Sequence, residues 1–288
     1  MKQQLKCEWI KKRTTDNMKK KIIKTIKNFL KILNQPEMQV LPGQLAYNML
    51  ISFVPILAIC ATIISNFISN FNLTNIINNY LPNSLAQIII PLIITNENTS
   101  ILIVILGYIF MATKAPKSII ISSNSLYKIK EDNNLKINLK AIFMTIILII
   151  LLIFMIFIPI LGSIIIKLIQ KYFEISKYIG ILKVIKILTS FIFVYISIKL
   201  LYTMAPSKEV KSSTTTIGAI FTSISWIIAT EIFSFYITNL ARYNELYGNF
   251  ANLIILLLWV YLLAYLFVVG MAMNINVYNS LPKEEVKE

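Results

Sequence analysis

The chain has 288 residues, 57% of them hydrophobic and 14% charged, against about 45–50% and 25% in ordinary soluble domains. No Asp, Glu, Lys or Arg occurs between Glu37 and Glu97, or between Glu245 and Lys283. A helix needs only about 20 apolar residues to cross a bilayer, so a soluble globule is excluded and an all-α, polytopic membrane protein is expected. The lack of histidine excludes Ser-His-Asp and Cys-His nucleophiles, histidine-bearing zinc sites and imidazole proton shuttles.

Eleven of the 28 Lys and Arg residues lie within the first 31. There Met18–Leu33 reads as a basic amphipathic helix. Ile22, Ile26, Phe29 and Leu33 form an apolar stripe, and Lys20, Lys24, Lys27 and Lys31 lie on other faces. Such a helix suits the headgroup region of an anionic leaflet, although a solvated tail that only sets topology fits the same pattern. No apolar core of a secretory signal follows the early lysines. Residues 1–40 are expected to form a cytoplasmic tail, 41–278 a transmembrane domain and 279–288 a second cytoplasmic tail.

Six spans are expected at about 41–68, 100–124, 140–166, 179–203, 213–240 and 249–278. With the N-terminus inside, only Lys167, Lys171, Lys177, Lys183, Lys186 and Arg242 fall on the outer side, as retention of positive charge predicts. The net charge of +15 therefore sorts by side and gives no reason to invoke nucleic acid. Its expected partners are membrane lipids, with anionic headgroups at the cytoplasmic leaflet. The stretch Leu73–Ile94, interrupted by Pro82 and Pro91, reads as a helical segment at the outer interface.

Within the spans, Gln44, Asn48 and Ser52 recur every four residues, just before Pro55. Such a face turns toward protein or water, as interhelical hydrogen bonding or as the lining of a substrate path. Pro55, Pro116 and Pro159 each remove a backbone donor and predict kinks. Lys114 and Lys117 flank Pro116, where long side chains snorkel to the cytoplasmic surface or contact an anion. Glu231 lies about 28 Å along its helix from Ser212 at 1.5 Å per residue. That places it near the outer interface, as a functional carboxylate or as a partner of Arg242 or a nearby lysine. Trp259, Tyr261 and Tyr265 lie deep in the last span and are expected to pack helices together. Cys7 and Cys60 offer neither a disulfide framework nor a CxxC site, and the seven glycines form no nucleotide-cradling motif. No cofactor, metal or catalytic centre is expected.

Several segments resemble the YihY/BrkB family of bacterial inner-membrane proteins, once labelled ribonuclease BN. Leu45-Ala46-Tyr47 with Ser52-Phe53-Val54-Pro55 is similar to its LAYY…S-[LF]-x-P pattern, and Asn124 and Tyr127 to its N-x-x-Y. Leu201-Tyr202, Pro206 and Gly218-Ala219 fit LY…P…GA, and Phe233 and Tyr236 fit F-x-x-Y. Tyr247-Gly248, then Leu258-Trp259-Val260-Tyr261, then Gly270 and Asn274, are similar to YG…LWxY…GAELN. Ala272 stands where that motif has Glu, so no role of that carboxylate carries over.

The resemblance implies six spans with both termini cytoplasmic, in the bacterial inner membrane. It also implies roles in exporting or flipping lipids and other envelope material, or in resistance to host serum. Nuclease activity is not expected, because no histidine or carboxylate cluster is present to hold paired metals. The function expected is thus non-enzymatic: transport or flipping of an amphiphilic envelope component, or, as the alternative, a membrane scaffold for envelope machinery. On the transport reading Gln44, Asn48 and Ser52 line a cavity. Asn124, Lys114 and Lys117 stand toward its cytoplasmic end and Glu231 toward its outer end. Oligomeric state does not follow from the sequence.

Overall fold

The computed structural model describes residues 26–67, 101–130, 133–172, 179–239 and 251–280, and all regular structure among them is helical. Residues 26–33 are helical and turn at 34–36 into α1, Glu37–Phe67. Then follow α2 (Ile101–Ala112), α3 (Lys114–Tyr127), α4 (Asn134–Tyr172), α5 (Ile179–Met204), a 3-10 turn (Ser212–Thr215), α6 (Thr216–Asn239) and α7 (Ala251–Tyr278). Helix is present at each of the six expected positions, with α2 and α3 sharing the second. Among the described residues, four stretches are long and apolar enough to cross a membrane: Glu37–Cys60, Asn134–Ile153, Ser212–Phe233 and Leu253–Tyr278. The interfacial stretch Leu73–Ile94, most of the N-terminal basic region and the tail after Ser280 lie outside the described residues.

The second helical stretch is interrupted at Thr113, in the turn before Pro116, where the proline predicts a kink. Pro116 has no N–H, and its ring disfavours the carbonyl four residues earlier, that of Ala112. The gap is bridged from another helix. Ser52 Oγ of α1 donates to Met111 O at 2.9 Å and accepts the Ala115 N–H at 2.8 Å. One hydroxyl is thus inserted between a carbonyl and an N–H of the helical ladder. The ladder resumes on both sides, with Thr113 N donating to Ile109 O and Lys117 N to Thr113 O.

Helix ends follow local chemistry. Asn133 Oδ1 accepts the N–H groups of Leu135 and Lys136 at 3.0 and 3.2 Å, capping α4. The α3 terminus is a Schellman turn, with Lys128 N donating to Ser125 O and Ile129 N to Asn124 O. Lys128 holds the left-handed position, φ 55°, where glycine is the usual occupant.

The core gathers Leu45 of α1, Ile119 and Ile120 of α3, Met144 of α4, Ile198 of α5 and Phe267 and Met271 of α7, all 2% exposed or less. Phe267 stacks between Tyr202, at 4.6 Å, and Trp226, at 6.1 Å. The N-terminal stripe divides: Phe29 and Leu33 pack against the core beside buried Ile32, while Ile26 faces outward. In the last span Trp259 packs against the core, but Tyr261 and Tyr265 are exposed. Tyrosines four residues apart share a helix face, and here that face points away from the bundle.

Two substitutions test these local features in detergent-solubilised protein. Ser52→Ala leaves Met111 O and Ala115 N unpaired and is expected to lower unfolding stability by about 1–3 kcal/mol. Lys128→Gly relieves the left-handed strain and is expected to raise it by about 1 kcal/mol. Thermal or denaturant unfolding measures both.

Candidate functional site

The most polar helix occupies the most enclosed position. The α3 sequence is KAPKSIIISSNSLY, and ten of its 14 residues are buried. It packs against α1, α4 and α7. Its last turns hold the loop between α5 and the 3-10 turn. Asn124 Nδ2 donates to Ser207 Oγ at 2.7 Å, and Asn124 Oδ1 accepts the Ser207 N–H at 2.8 Å. Lys140 of α4 donates to Pro206 O. Lys208 then lies over the Tyr278 ring at 4.5 Å and the Tyr127 ring at 5.8 Å, and the two rings meet edge-on at 5.4 Å. A cation over two aromatic faces gains from their quadrupoles.

Beside this loop α6 and α7 pass in opposite directions with their backbones in contact. A Cβ on Gly218 would strike the Gly270 carbonyl oxygen and the Asn274 side chain. A Cβ on Gly270 would strike the hydroxyls of Thr222 and Tyr202. The close approach lets Asn274 Oδ1 accept the Gly218 N–H at 2.7 Å. Gly218 lies in the first turn of α6, where backbone donors have no partner within the helix. Two turns back from Asn274 along α7, Tyr202 Oη donates to Phe267 O at 2.7 Å and shares a 2.7 Å hydrogen bond with Thr222. Three helices, α5, α6 and α7, therefore meet through side-chain hydrogen bonds, and α3 holds the loop beside them through Asn124.

The residues singled out from the sequence fall in different places. Gln44 is exposed, Asn48 is half-buried and donates to Gln44 O at 2.8 Å, and Ser52 is fully buried at the α2–α3 break. Lys114 is half-buried over the Phe110 ring at 4.5 Å, and Lys117 is half-buried on the same helix. Asn124 clamps the loop as described, and Glu231 is exposed on α6. Arg242, its expected partner, lies outside the described residues, as do Tyr247 and Gly248. Of the remaining motif positions, Tyr127, Pro206, Gly218, Gly270 and Asn274 converge on the junction, together with Asn124 and Tyr202. Pro55 is buried in α1, Tyr47 is 64% exposed, and Tyr236 lines a groove between α6 and α7.

Sequence reading did not single out Ser118, Ser122, Ser123, Ser207, Lys208 or Thr222. The signal for the serines was the polar run Ser122-Ser123-Asn124-Ser125 inside an otherwise apolar span. Ala272 is 0% exposed in the core, a place where a lone carboxylate carries a heavy desolvation penalty. Among the described residues no group of three acidic or Cys side chains stands ready to hold a metal.

The junction predicts a ranking of substitutions. Asn274→Ala strands the Gly218 N–H and is expected to lower stability by about 1–3 kcal/mol. Gly218→Ala forces two backbones apart and is expected to lower it by about 3 kcal/mol. Ala272→Ser, at the motif position where the family has Glu, adds one hydroxyl to a buried methyl and is expected to change it least. Melting temperatures of the purified variants give the order.

A family model, virulence factor BrkB, matches residues 29–288. The chain is 28% identical over 239 residues to a ribonuclease-like protein, YfkH, of Bacillus subtilis, covering 81% of this chain and 87% of the relative. It is 27% identical over 248 residues to a UPF0761 membrane protein of Vibrio campbellii, covering 84% and 78%. Over 273 residues it is 25% identical to a UPF0761 membrane protein of Actinobacillus pleuropneumoniae, covering 91% and 95%. No solved structure matches. With the family model spanning all but its first 28 residues, and four helices among the described residues long and apolar enough to cross a bilayer, this chain belongs to the virulence factor BrkB family of membrane proteins.

Proposed function

We propose that the chain is a six-pass protein of the bacterial cytoplasmic membrane, both termini cytoplasmic, that transports or flips a lipid or other amphiphilic envelope component without chemically altering it. The observation that carries this reading is an open groove of about 480 Å³ between α6 and α7. Ile228, Ala229, Ile232 and Phe233 of α6 and Leu262 and Leu266 of α7 form its apolar wall, and Ser225 and Tyr236 bring hydroxyls to it. Its volume lies in the range of small-molecule sites, about 300–1,000 Å³. Its openness to the side of the bundle suits an acyl chain entering from the bilayer.

The interrupted α2–α3 pair adds support, since discontinuous helices recur in transporters. The six-pass reading adds two candidates to the four long apolar helices: α5, whose apolar stretch Phe191–Met204 is shorter, and the α2–α3 pair. The basic residues then gather on the cytoplasmic side, where anionic headgroups are the expected lipid partners.

Reconstitution into proteoliposomes with headgroup- or chain-labelled lipids tests the proposal. Exchange between leaflets is expected to exceed that of empty vesicles for at least one lipid class. Ala229→Trp, which fills the groove, is expected to slow it about tenfold, equivalent to about 1.4 kcal/mol on the barrier. Exchange no faster than in empty vesicles, across zwitterionic and anionic lipids alike, rules the transport reading out.

A further inference from the structure

The start of α3 lies deep along its neighbours. The Ala115 N–H is bonded to Ser52 Oγ. Ser52 itself stands about 22 Å along α1 from Glu37, inside the apolar stretch Glu37–Cys60. At the other end of α3, Tyr127 meets Tyr278, the last residue of α7. Lys114 is about 20 Å back from that contact along α3, and α7 is about 42 Å long. On the far side of the break, Ala112 is buried with Ile56 and Cys60 in an apolar cluster, against which Ile149, Leu152 and Ile153 of α4 pack. Lys114 thus stands near half the height of the bundle. Its four-carbon stem spans only a fraction of the way to either end, so snorkelling does not account for it.

Positive charge is concentrated there without compensation. Lys114 and Lys117 are half-buried and three residues apart on one helix face, where like charges repel. They occupy the first turn of α3, the positive end of its dipole, where acidic residues are favoured and none is present. Among the described residues neither lysine forms an ion pair. Lys114 lies instead over the Phe110 ring at 4.5 Å, and that ring is 64% exposed on the outside of the bundle. The backbone donors of this turn are already taken: Thr113 N by Ile109 O, Ala115 N by Ser52 Oγ and Lys117 N by Thr113 O. Ser118, one turn on from Lys114 and on its side of the helix, is 1% exposed, and its hydroxyl has no protein partner. Two ammonium groups and one unpaired hydroxyl within about 100° of arc make a site for an anion.

We propose that Lys114 and Lys117 bind the phosphate of an anionic lipid headgroup midway across the membrane. A phosphate brings negative charge and several acceptor oxygens to groups that are donors only or, for Ser118, donor and acceptor. The lysines open outward beside Phe110, so a lipid reaches them from the bilayer and leaves its chains among the exposed Ile109, Phe110 and Met111. Held there, the headgroup is paired at the depth where an isolated charge is least tolerated. The inference rests on the function proposed above and names its substrate class, a phosphate-bearing anionic amphiphile. The two fail separately, since binding is read at equilibrium and transport by exchange between leaflets. Exchange of anionic lipid that is indifferent to the lysines overturns the site and leaves transport standing. Binding that depends on the lysines, with no exchange, removes transport and keeps the site.

The test takes the purified full chain in neutral detergent and follows binding of dioleoyl phosphatidic acid, dioleoyl phosphatidylcholine or inorganic phosphate by native mass spectrometry. Lys114→Gln with Lys117→Gln is expected to weaken phosphatidic acid about tenfold and to leave phosphatidylcholine unchanged. Its melting temperature without lipid is expected to equal or exceed that of the parent, because a repulsive pair is gone. Lys128→Gln with Lys130→Gln removes the same charge from exposed positions beyond the end of α3, and is expected to weaken binding less than about twofold. Should the first pair fail to fold, Lys117→Gln alone is expected to give about a threefold loss. Phosphatidic acid bound equally by the parent and by the Lys114 and Lys117 variants overturns the site. A loss as large from the Lys128 and Lys130 pair assigns the effect to overall charge and overturns it as well. Displacement of the lipid by millimolar inorganic phosphate, dependent on Lys114 and Lys117, assigns the site to the free anion and overturns the lipid.

Discussion

The close approach of two backbones at Gly218 and Gly270 is the constraint on which the rest of the bundle depends. Between helices in lipid there is no hydrophobic driving force comparable to that in water, so association rests on packing and on hydrogen bonds across the interface. Glycine at both positions permits the contact, and the contact places Asn274 where its carbonyl oxygen caps the first turn of α6. The same approach brings Tyr202 of α5 within reach of Phe267 O and Thr222. Three helices are thereby tied by bonds that a single added methyl group would break.

Fixing α6 and α7 at this point also fixes what surrounds α3. The loop leading to the 3-10 turn must start from α5 and end at the head of α6, so it passes beside the last turn of α3. There Asn124 satisfies both the backbone N–H and the hydroxyl of Ser207. At its other end α3 begins at the break that Ser52 bridges. A helix with four serines, an asparagine and two lysines is poorly suited to face lipid. It is acceptable at the centre because its neighbours hold both its ends and its polar faces turn inward.

What the sequence made legible divides along the line between local and tertiary information. The apolar periods placed α1, expected at 41–68, within a few residues of Glu37–Phe67, and α7, expected at 249–278, at Ala251–Tyr278. The ordered motifs identified the family. The break at Thr113 was legible in Pro116, but the serine that bridges it was not, because it comes from another helix about 60 residues away. The stripe Gln44, Asn48 and Ser52 was read correctly as one helix face, yet its exposure runs from open to fully enclosed along α1. Periodicity reports the face of a helix but not how deeply its neighbours cover each turn. The junction glycines gave no spacing signal, since Gly218 and Gly270 each stand alone and meet only across 52 residues of sequence.

The groove and the polar junction are two consequences of the same pair of helices. Near the loop, α6 and α7 touch at Gly218 and Gly270. Farther along, the Trp226 indole still spans the gap by donating to Leu263 O at 3.0 Å. From Ser225 onward the residues facing α7 are Ile228, Ala229, Ile232, Phe233 and Tyr236, and space remains between the helices. Two helices held together at one end by backbone contact, with an indole and branched side chains between them farther along, leave an open groove there. Polar contacts therefore concentrate where the helices converge and apolar lining where they part. An amphiphile in the groove would have its chain against Ile232 and Leu262, while the polar junction lies toward the convergent end of the same two helices.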